Sequence, residues 1–371
     1  MTPPRALGDL AGPLAEWIGA RLAEAGIGPG PVVVTDLERP AAGQSNDTMA
    51  FTATWPGGSA RLVVRRQAGD NKIFRDADVL REARVLDGLR DTAVRVPSVR
   101  WTEPDPSVLG AQFFVMDHVA GRVPHGKPSI HSVGWLPTLT ATEREALWCS
   151  AMDTLVAVHE VDWRRRHSFL LDGHDGDSTA SAYVDWLLDW YRWTAAGREF
   201  PVTDAAAETI EARRSALGDD AAVLVWGDAR VGNMIFGPDH RVAAAIDWEV
   251  ASIGPAARDV AHWLFFDEFA TGACGVERLK GWPDRDETVS RYESGSGRRL
   301  GDLDLFEMME ELFMATTLIR QADARAAAGL APGGTRMGHD NTVTQMLARR
   351  LGLPVPELSP DYLAHRGMPV P

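Results

Sequence analysis

Val223-Leu-Val-Trp-Gly-Asp-Ala-Arg-Val-Gly-Asn-Met-Ile-Phe236, followed by Ala243-Ala-Ala-Ile-Asp-Trp-Glu249, decides how the whole chain is read. Apolar runs this short, bounded by Gly, Asp and Asn, read as buried strands joined by turns. The first run delivers Asp228 at its end, and Asn233 opens the second. A turn at Gly237-Pro-Asp-His240 sends the chain back to Asp247. A strand–loop–strand–turn–strand path predicts a small hairpin with Asp228, Asn233 and Asp247 along one edge. A single Asp in a Gly-containing turn is usually a turn former, because its side chain bonds nearby backbone. Two carboxylates and an amide gathered at one edge call for a chemical explanation.

Phosphoryl transfer supplies one. A carboxylate orients or accepts the proton of the attacking hydroxyl, while an amide oxygen and a second carboxylate hold Mg²⁺ against the nucleotide phosphates. The spacing resembles the Asp-x4-Asn catalytic loop and the later metal-binding Asp of protein kinases. Gly227-Asp228 through Asn233, with Ile246-Asp-Trp-Glu249, resembles more closely the aminoglycoside phosphotransferase, or choline-kinase-like, family. The resemblance runs from the loop at Gly43 through Asp259. It implies a bilobal protein-kinase-like fold of the α+β class. A small antiparallel-sheet N-lobe with one main helix would take residues 1–118, a larger, mostly helical C-lobe would take 119–371, and the active site would lie in the cleft between them. It further implies ATP as co-substrate, Mg²⁺, and a small hydroxylated molecule as acceptor, with Asp228 catalytic and Asn233 and Asp247 on the metal. Many members carry His where this chain has Trp226, and an indole can replace it only as a donor. The same motifs are similar to the phosphotransferase domain fused to some acyl-CoA dehydrogenases, where the implied acceptor is a hydroxyacyl-CoA.

Moving toward the N-terminus, residues 10–25 carry Leu14, Trp17, Ile18 and Leu22 at helical spacing. Strands are predicted at 32–37, 49–55 and 60–66, the last two joined by Pro56-Gly-Gly58. The small-residue turn before the second strand could lie close over phosphates. The resemblance puts Gly43, Gln44, Ser45 and Asn46 nearest the nucleotide. Kinases place a Lys on the third strand; here Leu62-Val-Val is followed by Arg65 and Arg66. Strand alternation puts these two on opposite faces and cannot choose between them; similarity to the family favours Arg65. A helix over 74–89 carries Glu82, which fits the acidic partner of the strand cation. Strands at 94–101 and 111–119 complete this half, and Gly121 with Pro124 breaks the pattern. The segment from Asp117 to Val119 would face an adenine edge, with Met116 behind the base.

Moving toward the C-terminus, the patterns are helical: 143–159 ending at His159, 181–195, 202–217, 257–269, 286–296, 303–328 and 341–351. His159 reads simply as the end of its helix. The Trp186, Trp190, Tyr191 and Trp193 cluster reads first as packing. In the resembling family an Asp at the place of Asp259 steadies the catalytic loop. Glu249, Asp267 and Glu268 are candidates for facing a cationic acceptor. The tail beyond Pro354 reads as irregular. Strands before residue 120 and helices after it independently point to the α+β class.

Composition narrows the partners. A chain of 371 residues, 45% apolar, has ample core, and its formal net charge of −14 argues against a broad nucleic-acid surface. Cys149 and Cys274 lack metal-type spacing and give no disulfide framework. Neither a signal peptide nor an apolar run long enough to span a bilayer is expected, so the reading is a cytoplasmic protein, monomer or homodimer, with no membrane or nucleic-acid partner. Two other classes stay open: a pseudokinase-like nucleotide-binding module, and a hydrolase using paired carboxylates, which would show no nucleotide dependence.

Overall fold

The computed structural model describes residues 7–27, 30–39, 46–67, 73–75, 77–171, 179–218, 221–331 and 335–370. Gly43, Gln44 and Ser45 lie outside the described residues. The chain separates into two compact units, one of residues 1–91 and 96–120, the other of 92–95 and 121–371.

The first unit contains α1 (Leu7–Glu24), β1 (Val33–Glu38), β2 (Asp47–Trp55), β3 (Gly58–Arg66), α2 (Val79–Leu89), β4 (Val99–Glu103) and β5 (Phe113–Asp117). The strands form one antiparallel sheet in the order β1-β2-β3-β5-β4. Period-2 alternation sends Leu62 and Val64 to one face, where they join Met49, Phe51, Phe113 and Val115 against Leu14, Trp17, Ile18 and Leu22 of α1. Arg65 leaves from the opposite face and reaches α2.

Two expectations here need correction. The helix does not begin at Phe74: Ile73–Arg75 form a bend and turn, and α2 starts at Val79. Asp78 sets that start, since its carboxylate accepts from the Leu80 and Arg81 amides. The strand expected at 94–101 begins only at Val99; Pro97 cannot donate to a ladder.

The second unit contains α3 (Ala141–His159), α4 (Trp163–Arg166), α5 (Thr179–Ala195), α6 (Pro201–Arg213), β6 (Val223–Val225), β7 (Met234–Phe236), β8 (Val242–Ala245), β9 (Ser252–Gly254), α7 (Ala256–Ala270), α8 (Arg285–Ser296), α9 (Leu303–Ala327), α10 (Thr342–Leu351) and α11 (Pro360–Arg366). The 25-residue α9 is its axis, packed against α5, α6, α7 and α10. Capping boxes at Thr140/Glu143 and Asp284/Glu287 start α3 and α8.

The expected single hairpin resolves into two. β7 pairs with β8, whereas β6 pairs with β9, a strand the sequence pattern did not single out. The tail is also not irregular throughout: Pro360 opens α11 at its first turn, where a missing N–H costs nothing. Among the described residues, no helix is long and apolar enough to cross a membrane.

Candidate active site

In the first unit, Arg65 Nε donates to Glu82 Oε2 at 2.6 Å, with both side chains largely buried. Its neighbour Arg66 is committed elsewhere, to Asp47 Oδ2 at 2.5 Å and the Leu109 carbonyl at 2.6 Å. The helix carboxylate therefore selects Arg65, a choice strand alternation had left open. Asn46 is buried immediately before β2. Met116 and Asp117 end β5, where Met116 lies opposite Val63 and Val99. The Asp117 amide donates to the Ser98 carbonyl at 2.9 Å and the His118 amide to that of Arg61 at 3.2 Å. Val119, just past the strand, is half-buried.

In the second unit, β6 ends against a sharp turn. Gly227 takes φ +89°, and a Cβ there would come 2.5 Å from the Val250 carbonyl oxygen, so only glycine fits. Asp259, fully buried near the start of α7, holds this turn from below. Its two oxygens accept from the Trp226 and Gly227 amides, each at 2.7 Å, and His159 Nε2 lies 3.0 Å away. Burial pushes the Asp259 pKa up; hydrogen bonds from His159 and the two amides outweigh it, and the carboxyl titrates below its ordinary range. His159 is thus a buried link, with Tyr292 Oη 2.7 Å from its other nitrogen.

Asp228 follows, its side chain 22% exposed. Oδ1 accepts from Arg230 Nε and lies beside His262 Nε2, both at 2.8 Å; Oδ2 meets a 3.4 Å contact from Arg230 Nη2. Burial would raise its pKa, but the Arg230 charge and the His262 hydrogen bond hold it well below the usual carboxylate range. Asn233 is tied to the same residue: its Nδ2 donates to the Asp228 carbonyl at 3.0 Å. Only an NH₂ can donate to a carbonyl, so Asn233 Oδ1 is turned the other way as an acceptor. Asp247 adopts φ +64°, in the left-handed region that Asp visits more readily than most residues other than Gly. The Trp226 indole donates to the carbonyls of Ile246 and Asp247, each at 3.1 Å, and stacks on Trp248. That indole lashes the segment carrying Asp247 to the turn carrying Asp228, which is how Trp serves at this position.

The remaining candidates are placed differently. Asp267 is engaged by Trp282 Nε1 at 2.9 Å and by Arg278. Glu268 is exposed on α7, and Glu249 is half-buried beyond Trp248. Trp186 stacks between Tyr183 and Trp190 and against Phe313 of α9, as the packing reading expected.

Sequence reading missed Arg230, His262 and Glu310. Arg230 had a signal, being two residues after Asp228 and inside the quoted loop. His262 and Glu310 had none, because they reach the site only through the packing of α7 and α9.

The sequence profile of the APH phosphotransferase enzyme family matches residues 36–289. Acyl-CoA dehydrogenase family member 11 of Gallus gallus is 30% identical over 272 residues, 71% of this chain and 33% of that protein. Its Homo sapiens counterpart is 28% identical over 227 residues, 61% of this chain and 27% of that protein. The chain therefore spans about a third or less of the length of these curated relatives. Among solved structures, a Ralstonia eutropha JMP134 protein provisionally named an aminoglycoside phosphotransferase superposes with a TM-score of 0.68 at 24% identity, covering 92% of this chain and 98% of its own. With the family profile covering more than half of its length, the chain belongs to the APH phosphotransferase enzyme family and has its protein-kinase-like fold.

Proposed function

We propose that this phosphotransferase moves the γ-phosphoryl group of ATP, with Mg²⁺, to a hydroxyl of a small molecule. The observation that carries the reading is the joint restraint of Asp228 and Asn233, one carboxylate and one amide oxygen held on a single turn. Asn233 Oδ1 and the Asp247 carboxylate would hold the metal. Mg²⁺ suits such a pair, since it is usually bound by one or two protein oxygens together with substrate phosphates. When bound, the metal would neutralise charge on the phosphates.

Asp228 presents Oδ2 to the acceptor hydroxyl, because Oδ1 already meets Arg230 and His262. Its depressed pKa makes it a weak base at neutral pH. That suits a loose, dissociative transfer, in which the hydroxyl must be aimed first and loses its proton late. Arg65, braced by Glu82, would contact the nucleotide phosphates, with Gly43, Gln44, Ser45 and Asn46 over them and Met116, Asp117 and Val119 along the base.

A second acceptor class, hydroxyacyl-CoA, is favoured by one specific finding: the curated relatives are acyl-CoA dehydrogenase family members that match this chain over a minor part of their length. Glu249 and Glu268 would serve a cationic acceptor instead; Asp267 would do so only by releasing Arg278. The test is a panel of aminoglycosides, macrolides, amino alcohols and hydroxyacyl-CoAs incubated with Mg·ATP and scored by mass spectrometry for a phosphorylated product. A product whose formation falls roughly 10²–10⁴-fold in Asp228→Asn is the expected result. Failure of the chain to bind Mg·ATP would overturn the reading.

A further inference from the structure

His262, on α7, is fully buried and lies between two acceptors. Its Nε2 is 2.8 Å from Asp228 Oδ1 and its Nδ1 is 2.8 Å from Glu310 Oε2, on α9. A neutral imidazole has one N–H to donate, and an ionised carboxylate has none. Both contacts can be hydrogen bonds with ionised partners only when both ring nitrogens carry protons. Glu310 is engaged from two further elements: Tyr183 Oη, from α5, donates to Oε1 at 2.6 Å, and the Arg258 guanidinium, on α7, stands 3.7 Å from the same oxygen. Burial and the Glu310 charge both raise the Tyr183 pKa, so that hydroxyl keeps its proton and acts as donor.

We propose that His262, held as an imidazolium between Glu310 and Asp228, is a positioning residue that fixes the orientation of the Asp228 carboxylate, one oxygen anchored and the other left toward the acceptor hydroxyl. The inference rests on the reading of Asp228 given above. Arg230 and His262 together occupy Oδ1 from two directions, and rotation about the carboxylate axis would break both bonds. Phe266 and Phe313 flank the imidazole, with ring centroids at 5.0 and 5.8 Å. The charged and titratable groups that act on it are Asp228 from the β6–β7 turn and Glu310 on α9, with Arg230 behind Asp228 and with Tyr183 of α5 and Arg258 of α7 behind Glu310. Burial alone would depress the His262 pKa; hydrogen bonds to Asp228 and Glu310, and their charges, reverse that and hold it at about 9. The positive charge is therefore present at neutral pH and is lost as pH rises through that value.

The first measurement needs no acceptor. ¹⁵N spectra of histidine-labelled protein, with His262 assigned by its disappearance in His262→Gln or by heteronuclear correlation to the protein frame, should show both ring nitrogens protonated at neutral pH. A singly protonated ring would overturn the proposal. Glu310→Gln should return the ring to the neutral form at neutral pH, and an unchanged doubly protonated ring would contradict the role given to Glu310. In turnover, His262→Gln should lower kcat by roughly 10²-fold, the scale of an ångström-sized misplacement. Its KM for ATP should stay within about twofold, as expected when only transition-state interactions are lost. Wild-type kcat in that variant would overturn the positioning role. Should Asp228→Asn itself leave turnover intact, the reading of Asp228 fails, and the spectra still decide the charge on His262.

Discussion

Replacing Asp259 with Asn keeps the side chain's shape and removes its charge, which isolates what the buried carboxylate does. The native group is fully buried and accepts the Trp226 amide on one oxygen and the Gly227 amide on the other, with His159 at 3.0 Å. Asparagine offers one oxygen and one NH₂, so one of the two amides must face a donor. A buried N–H left without a partner costs about 1–3 kcal/mol, and a hydrogen bond to a charged group contributes about 1.5–3 kcal/mol. The expected loss is therefore roughly 2–5 kcal/mol of stability, within the range for breaking a buried charged pair. The sign with pH follows from the lowered pKa. The stabilisation is present above the ordinary carboxylate value of 3.8 and is lost as pH falls through the depressed folded value, so Asp259→Asn should flatten the acid side of the stability curve. Urea unfolding followed by far-ultraviolet circular dichroism gives the midpoint and slope. Because the same amides anchor the Gly227 turn, turnover should also fall, by roughly 10²-fold. An Asn variant with a wild-type midpoint and wild-type turnover would refute the anchoring role.

Two other outcomes follow from the geometry. Glu82→Gln should raise the KM for ATP about tenfold, since Arg65 keeps a hydrogen-bond acceptor but loses the charge that braces it; a nucleotide titration showing unchanged affinity would detach the pair from nucleotide binding. His131 is buried beside Arg278 and Arg144, its Nδ1 accepts the Leu279 amide, and burial with those charges lowers its pKa from 6.5 to about 4. Its contribution is complete above 6.5 and is lost as pH falls toward 4, so His131→Gln should reduce the loss of stability across that interval, and an equally steep loss would contradict it.

How much of this was readable in the chain depends on the distance over which each contact acts. Asp228, Asn233 and Asp247 sit on one local path, and their residue types announced it. Glu82 was legible through the kinase-like arrangement, which expects a helix carboxylate to pair with the strand cation, and it does pair with Arg65; the helix start was not, because it is set by the Asp78 cap. β9 escaped because three residues, Ser252–Gly254, carry no period of their own and become a strand only beside β6. His262 and Glu310 escaped for a stronger reason. On α7 and α9 they read as polar residues within apolar stripes, and only the crossing of those helices brings them together behind Asp228. The Arg65 and Arg66 alternatives illustrate the same limit: alternation separates the two faces, and tertiary packing decides which face meets α2.

The most direct test is a crystal structure of the protein with Mg²⁺ and a non-hydrolysable ATP analogue. The metal is expected roughly 2.0–2.1 Å from Asn233 Oδ1 and from an Asp247 carboxylate oxygen, the distances of octahedral Mg²⁺ coordination. Asp228 Oδ2 should remain off the metal, and Oδ1 should keep its bonds to Arg230 and His262. A metal and nucleotide bound elsewhere, or an Asp247 carboxylate turned away from the ion, would contradict the assignment.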